Sequence, residues 1–196
     1  MIRFRLGQSW KHEAQGDEPS DALSLELDGV DLLQGAKDEP LTRAVPAVVD
    51  ALCGLVLSGE RCGQVSLTEA ELELCLFRAP NGHDVELSVV SLGRAAKLLR
   101  GPLTLELLEL SAAAARCGEA LLRDVREHSA ELLRSARLSH LQTGARKLLA
   151  AQGAKALPEV DPGAFSHLEV PRPGALGFKV EDPHGRLLAW RRRGPA

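Results

Sequence analysis

Six histidines, four cysteines and a few close carboxylates are the side chains whose spacing could build a reactive site in this 196-residue sequence. His128 stands apart from the rest. It falls on the stripe Leu107, Leu110, Ala114, Cys117, Leu121, Val125, His128, Leu132 and Ala136, whose steps of three and four trace one face of a helix. An imidazole there serves as a hydrogen-bonded core residue or as a pH-sensitive contact with a partner. His83 follows Asn81-Gly82, and His184 sits within Asp182-Pro183-His184-Gly185, so both belong to turns. His12, His140 and His167 have no Cys or carboxylate pattern beside them.

Cys53, Cys62, Cys75 and Cys117 are too far apart in sequence for a zinc knuckle or a redox dithiol. They read as reduced core residues, and no metal or cofactor is expected. Glu69, Glu71 and Glu73 alternate with leucines and are expected to face solvent, while Asp17-Glu18 and Asp38-Glu39 fall in polar loops. A general acid or base needs a carboxyl in a cleft that shifts its pKa, and none of these positions suggests one. The sequence also lacks a glycine-rich phosphate loop, a GxSxG elbow, an HExxH pair and a DxDxDG loop. The expectation is a protein without catalytic activity.

Charge is the other chemistry on offer. The formal net charge of −3 hides a gradient: residues 1–60 carry 5 basic and 11 acidic side chains, residues 138–196 carry 9 and 5. Arg191, Arg192 and Arg193 end the chain's basic third, where they could contact phosphate or a partner. Arg123, Arg126, Arg134 and Arg137 are interleaved with Glu119, Asp124, Glu127 and Glu131 at helical spacings, the pattern of an ion-paired, solvated face. Aromatic residues make up 3% of the chain and Tyr is missing, which disfavours base-stacking platforms.

The elements that must position these residues follow from periodicity. Ile2–Leu6 alternates apolar residues with Arg3 and Arg5 as an edge strand does, and Trp10 could anchor the polar loop after it. Residues 23–33 cross Asp28-Gly29, a two-residue hairpin signal, and residues 71–91 form a second hairpin around Pro80-Asn81-Gly82. Residues 41–58 have helical spacing, with Thr42 as N-cap and Gly59 as C-terminal stop. Gly54 within it implies close contact with the sheet or the long helix. Gly101-Pro102 breaks the chain before that helix, which runs over about 107–137 and continues more weakly, with Gly144 as a joint. The SAAAA run at 111–115 and Gly118 leave room for a close backbone neighbour.

These elements give an α+β fold of two layers: an antiparallel sheet of β-hairpins on one medium helix, about 41–58, and one long helix, about 107–137. The expected division is an α+β domain at 1–151, a linker at 152–165 and a C-terminal hairpin segment at 166–196. ALSLELDG at 22–29 aligns with ALGFKVED at 175–182, so the last segment either begins a second similar domain or is an ordinary hairpin. No stretch has the form of a signal peptide or a membrane span, which suggests a cytoplasmic location and no membrane partner. The functional expectation is a non-catalytic structural or scaffold subunit that self-associates or joins a larger assembly through protein contacts. His128, Arg191, Arg192 and Arg193 are its candidate interaction residues. The alternative is a regulatory nucleic-acid-binding domain that uses the basic C-terminal third.

Overall fold

In the computed structural model, residues 1–12, 18–34, 36–93, 96–128, 130–154, 156–160 and 177–192 are described. Alternation dictates the first strand. In β1 (Ile2–Leu6), Ile2 is buried and Phe4 and Leu6 are half-buried, while Arg3 and Arg5 are exposed. A 3-10 turn at Ser9–His12 follows, then the two-residue β2 (Ser20–Asp21) and β3 (Leu23–Leu27). Asp28 and Gly29, at φ 49° and 85°, make the tight reversal that the Asp-Gly dipeptide predicts and lead into β4 (Val30–Asp31). The resulting small sheet has the order β1-β3-β4, so β1 is an edge.

After the short β5 (Glu39–Pro40), which pairs with β2, helix α1 covers Leu41–Leu57. Its cap differs from expectation. Thr42 lies inside the first turn and donates its hydroxyl to Glu18 Oε1 at 2.6 Å, while Arg43 Nη2 pairs with Glu18 Oε2 at 2.8 Å. A carboxylate is thus held at the positive end of the helix by residues of that helix. The crowding at Gly54 also has a local source, because a Cβ there would lie 2.4 Å from Glu60 Oε2.

The main sheet joins β6 (Cys62–Leu67), β7 (Leu72–Arg78), β8 (Asp84–Ser91) and β9 (Lys97–Glu106), antiparallel and in that order. Leu74 stands opposite Val89 and Leu76 opposite Leu87, so the leucine stripe of the expected 71–91 hairpin forms one continuous inner face. Gly101-Pro102 does not end the strand. The β8–β9 register shifts around Val89, and Gly101, at φ 100°, passes so close to Leu87 that a Cβ would stand 2.4 Å from its carbonyl oxygen.

The long helix is two helices. α2 covers Leu107–His128, a 3-10 segment runs over Ala130–Arg134, and α3 covers Ala136–Ala151. Ser135 starts α3 by accepting the Leu138 N–H at 3.3 Å, a capping signal that the strong helical pattern around it masks. The reversal lets α3 pack against both other helices. Gly144 is no joint: it lies mid-helix, where a Cβ would meet Val49 Cγ1 at 2.9 Å, and a Cβ at Gly118 would meet Leu141 Cδ1 at 2.8 Å. Small residues set the helix spacing.

The protein is therefore α+β, with helices on one face of an antiparallel sheet. The terminal segment adds cover to the other face. Among the described residues, β10 (Gly177–Glu181) and β11 (Leu187–Arg192) pair only with each other, and Val180 and Leu188 pack on Cys75 and Val90 of the main sheet. The hairpin neither extends that sheet by strand pairing nor stands away from it. No described helix is long and apolar enough to cross a membrane.

Candidate functional site

The phase of the β1–β3 ladder decides which backbone groups of β1 are free. Asp28 N–H donates to the Met1 carbonyl at 3.2 Å, and Gly7 N–H donates to the Ala22 carbonyl at 2.7 Å. Antiparallel pairs alternate, so Arg3 and Arg5 direct their N–H and C=O groups at Glu26 and Ser24. Ile2, Phe4 and Leu6 direct theirs away. The partner strand agrees, since Leu25, opposite Phe4, gives its N–H to Asp31 Oδ1 at 3.2 Å and accepts from Leu32 N–H at 2.8 Å. Ile2 N–H is taken by Glu109 Oε1 at 3.2 Å, and Leu6 C=O accepts from Gln8 Nε2 at 3.3 Å. Among the described residues, Phe4 N–H and C=O have no partner.

That edge faces α2 across a groove of about 630 Å³. Glu109, Ala113, Arg116, Ala120 and Arg123 recur at steps of three and four, and this second helical face lines the groove together with Cys117 and Asp124. Small side chains at 113, 117 and 120 keep the helix surface low. Arg3, Lys11, Arg116 and Arg123 bring four cations, against the carboxylates of Glu109 and Asp124. Lys11 Nζ engages Asp124 Oδ2 at 2.8 Å. The ion-paired face expected for α2 is thus not formed as read: Asp124 is occupied by Lys11, and no described carboxylate lies within salt-bridge distance of Arg116 or Arg123.

The turn carrying Lys11 is fastened by one carboxylate. Asp21 accepts Ser9 N–H at 2.6 Å, Ser9 Oγ–H at 2.6 Å and Trp10 N–H at 3.2 Å on Oδ2, and Ala22 N–H at 2.7 Å on Oδ1. Burial pushes its pKa up, but these hydrogen bonds outweigh burial and hold the carboxyl below the ordinary aspartate range. Trp10 is buried as the expected anchor, edge-on to His128 with ring centroids 5.7 Å apart. His128 Nδ1 donates to the Asp124 carbonyl at 2.9 Å. This imidazole ends α2 and buttresses the Trp10 turn, rather than lining the groove.

The other sequence candidates lie elsewhere. Arg191 and Arg192 belong to β11, on the sheet face opposite the helices, and their side chains are outside the described residues, as is the whole of Arg193. Arg186, in the terminal turn, is better defined: its guanidinium contacts Glu86, pairs with Asp182 Oδ2 at 2.5 Å and lies 4.7 Å from the Phe77 ring centroid. Glu73 does not face solvent. It is buried and accepts Ser66 Oγ–H at 3.1 Å, and burial raises its pKa. Glu39, read as a loop acid, is also buried and accepts Ala70 N–H at 2.6 Å.

None of the four cysteines is in a disulfide; Cys62, Cys75 and Cys117 are buried and Cys53 is half-buried. Burial pushes Cys53 up to about 11 and Cys117 up to about 12, so the thiol beside the groove keeps its proton at neutral pH and lacks thiolate nucleophilicity. Among the described residues, no group of three or more His, Cys, Asp and Glu side chains could hold a metal ion. The groove's residue types were legible one by one, but its existence depends on strand phase and on Lys11 reaching Asp124. Comparison with known proteins finds no family model, no curated protein and no solved structure that matches this chain.

Proposed function

We propose that the protein is a non-catalytic interaction subunit that joins an assembly, of its own copies or of other proteins, through the β1 edge and the α2 groove. The observation that carries this reading is the outward N–H and C=O of Phe4 in a groove that it lines together with small residues of α2 and with Arg3, Arg116 and Arg123, which have no carboxylate partner among the described residues. An open strand edge is a template for another strand, and folded proteins usually block such edges when they have no use for them.

A photo-crosslinking residue at Ala120, with light scattering on the purified chain, tests the proposal. Position 120 is expected to give a defined adduct, with a second copy or with another protein of the native cell. The same residue at the exposed Arg146 of α3 is expected to give none. A strict monomer over the concentration range, with no adduct from position 120, overturns the proposal.

A further inference from the structure

Resting on that reading, we infer that the occupant of the groove is an extended, acidic segment of a protein partner, added to β1 as a further strand. Two independent features select it. The first is the backbone: Phe4 offers one N–H and one C=O in strand geometry, and an extended chain supplies both complements without any particular side chain. A helix has no free backbone groups along its length with which to answer them.

The second feature is charge. Arg3, Arg116 and Arg123 reach the groove with no described carboxylate in salt-bridge range, while Glu109 is committed to Ile2 N–H and Asp124 to Lys11. The surplus is positive. Arg116 and Arg123 stand two helical turns apart, about 10.5 Å along the axis. Same-face residues of a strand recur about every 7 Å, so two flexible guanidinium groups can span alternate acidic side chains. The small side chains of Cys117 and Ala120, between the two arginines along α2, leave room for the strand's backbone and small or β-branched side chains.

The probe is a fluorescent peptide of about six residues alternating Glu and Val, with a Lys/Val counterpart, each titrated into the intact protein by anisotropy. The Glu peptide is expected to bind about tenfold or more tightly than the Lys peptide, and the Arg116→Glu, Arg123→Glu double variant is expected to reverse that order. Both arginines are exposed, and a thermal melt confirms that the variant folds. N-methylation of alternate peptide amides separates strand addition from charge attraction. One of the two alternating methylated forms is expected to lose about tenfold in affinity while the other retains it. Equal binding of Glu and Lys peptides overturns the acidic partner and leaves the interaction reading standing. Identical behaviour of the two methylated forms overturns strand addition. Absence of binding by any peptide overturns this inference alone, since the crosslinking result judges the broader reading separately.

Discussion

Phe4 and Leu25 stand opposite each other across the β1–β3 ladder without exchanging backbone hydrogen bonds. Leu25 spends its N–H on the Asp31 carboxylate and its C=O on Leu32 N–H, which fixes the phase of the small sheet. The consequence for β1 is an edge whose Phe4 groups open toward α2. Replacing Asp31 with Ala removes the acceptor shared by Leu25 and Leu33 and is expected to cost about 1–3 kcal/mol. Denaturant unfolding measures it, with any gain of peptide access at the edge read by anisotropy.

Asp21 and Glu73 give opposite pH dependences. The folded Asp21 carboxyl binds its proton less readily than the unfolded one, so its contribution is complete above about pH 4 and is lost as pH falls through the depressed folded value. Asp21→Asn is expected to lower stability at neutral pH by about 1–3 kcal/mol and to flatten the acid limb. The folded Glu73 carboxyl, raised by burial, holds its proton to higher pH, so its ionisation reduces stability as pH rises above about 4.3. Glu73→Gln is expected to stabilise the protein at neutral pH and to have little effect in acid. Thermal melts over pH check both signs.

Gly144 lies where α3 packs on Val49 and Cys53 of α1. Gly144→Val is expected to destabilise by about 2 kcal/mol, because a Cβ already falls 2.9 Å from Val49 Cγ1 in a packed core. Gly153, which has no atom near its Cβ position, is the control, and Gly153→Ala is expected to leave the denaturation midpoint nearly unchanged.

Arg186 fastens the terminal hairpin to the main sheet through Glu86 and Phe77, and pairs with Asp182 within the hairpin's own turn. Cys75 lies beneath that hairpin and donates its thiol to the Leu188 carbonyl at 3.1 Å. Arg186→Ala is expected to raise the rate of Cys75 labelling by a thiol reagent about tenfold through local opening, with Cys117 labelling unaffected. Equal acceleration at both cysteines would point to global unfolding instead.

The hairpins and α1 were legible because their signals are local: period-two leucines around Asn81-Gly82 and Asp28-Gly29, and a helical stripe that stops at Gly59. The break after His128 was not, since Ala130, Glu131 and Leu132 continue the helical pattern, and the reversal depends on α3 packing on Val49 of α1, far away in sequence, and on Gly118 of α2. The position of His128 on the stripe of α2 was legible from its spacing, yet its Trp10 contact joins residues more than a hundred positions apart. The groove was hidden for the same reason. Alternation in β1 identifies Arg3 and Arg5 as outward side chains, but the bonds of Met1 with Asp28, Gly7 with Ala22 and Leu25 with Asp31 are needed to reveal which backbone groups remain free.

Amide hydrogen exchange at Phe4 tests the central claim most directly. In the free protein Arg3 and Arg5 amides, bonded within the ladder, are expected to exchange slowly and the Phe4 amide quickly. Adding the Glu/Val peptide is expected to slow Phe4 about tenfold or more while Arg3 and Arg5 change little. A Phe4 amide whose exchange is the same with and without saturating peptide would contradict strand addition at this edge.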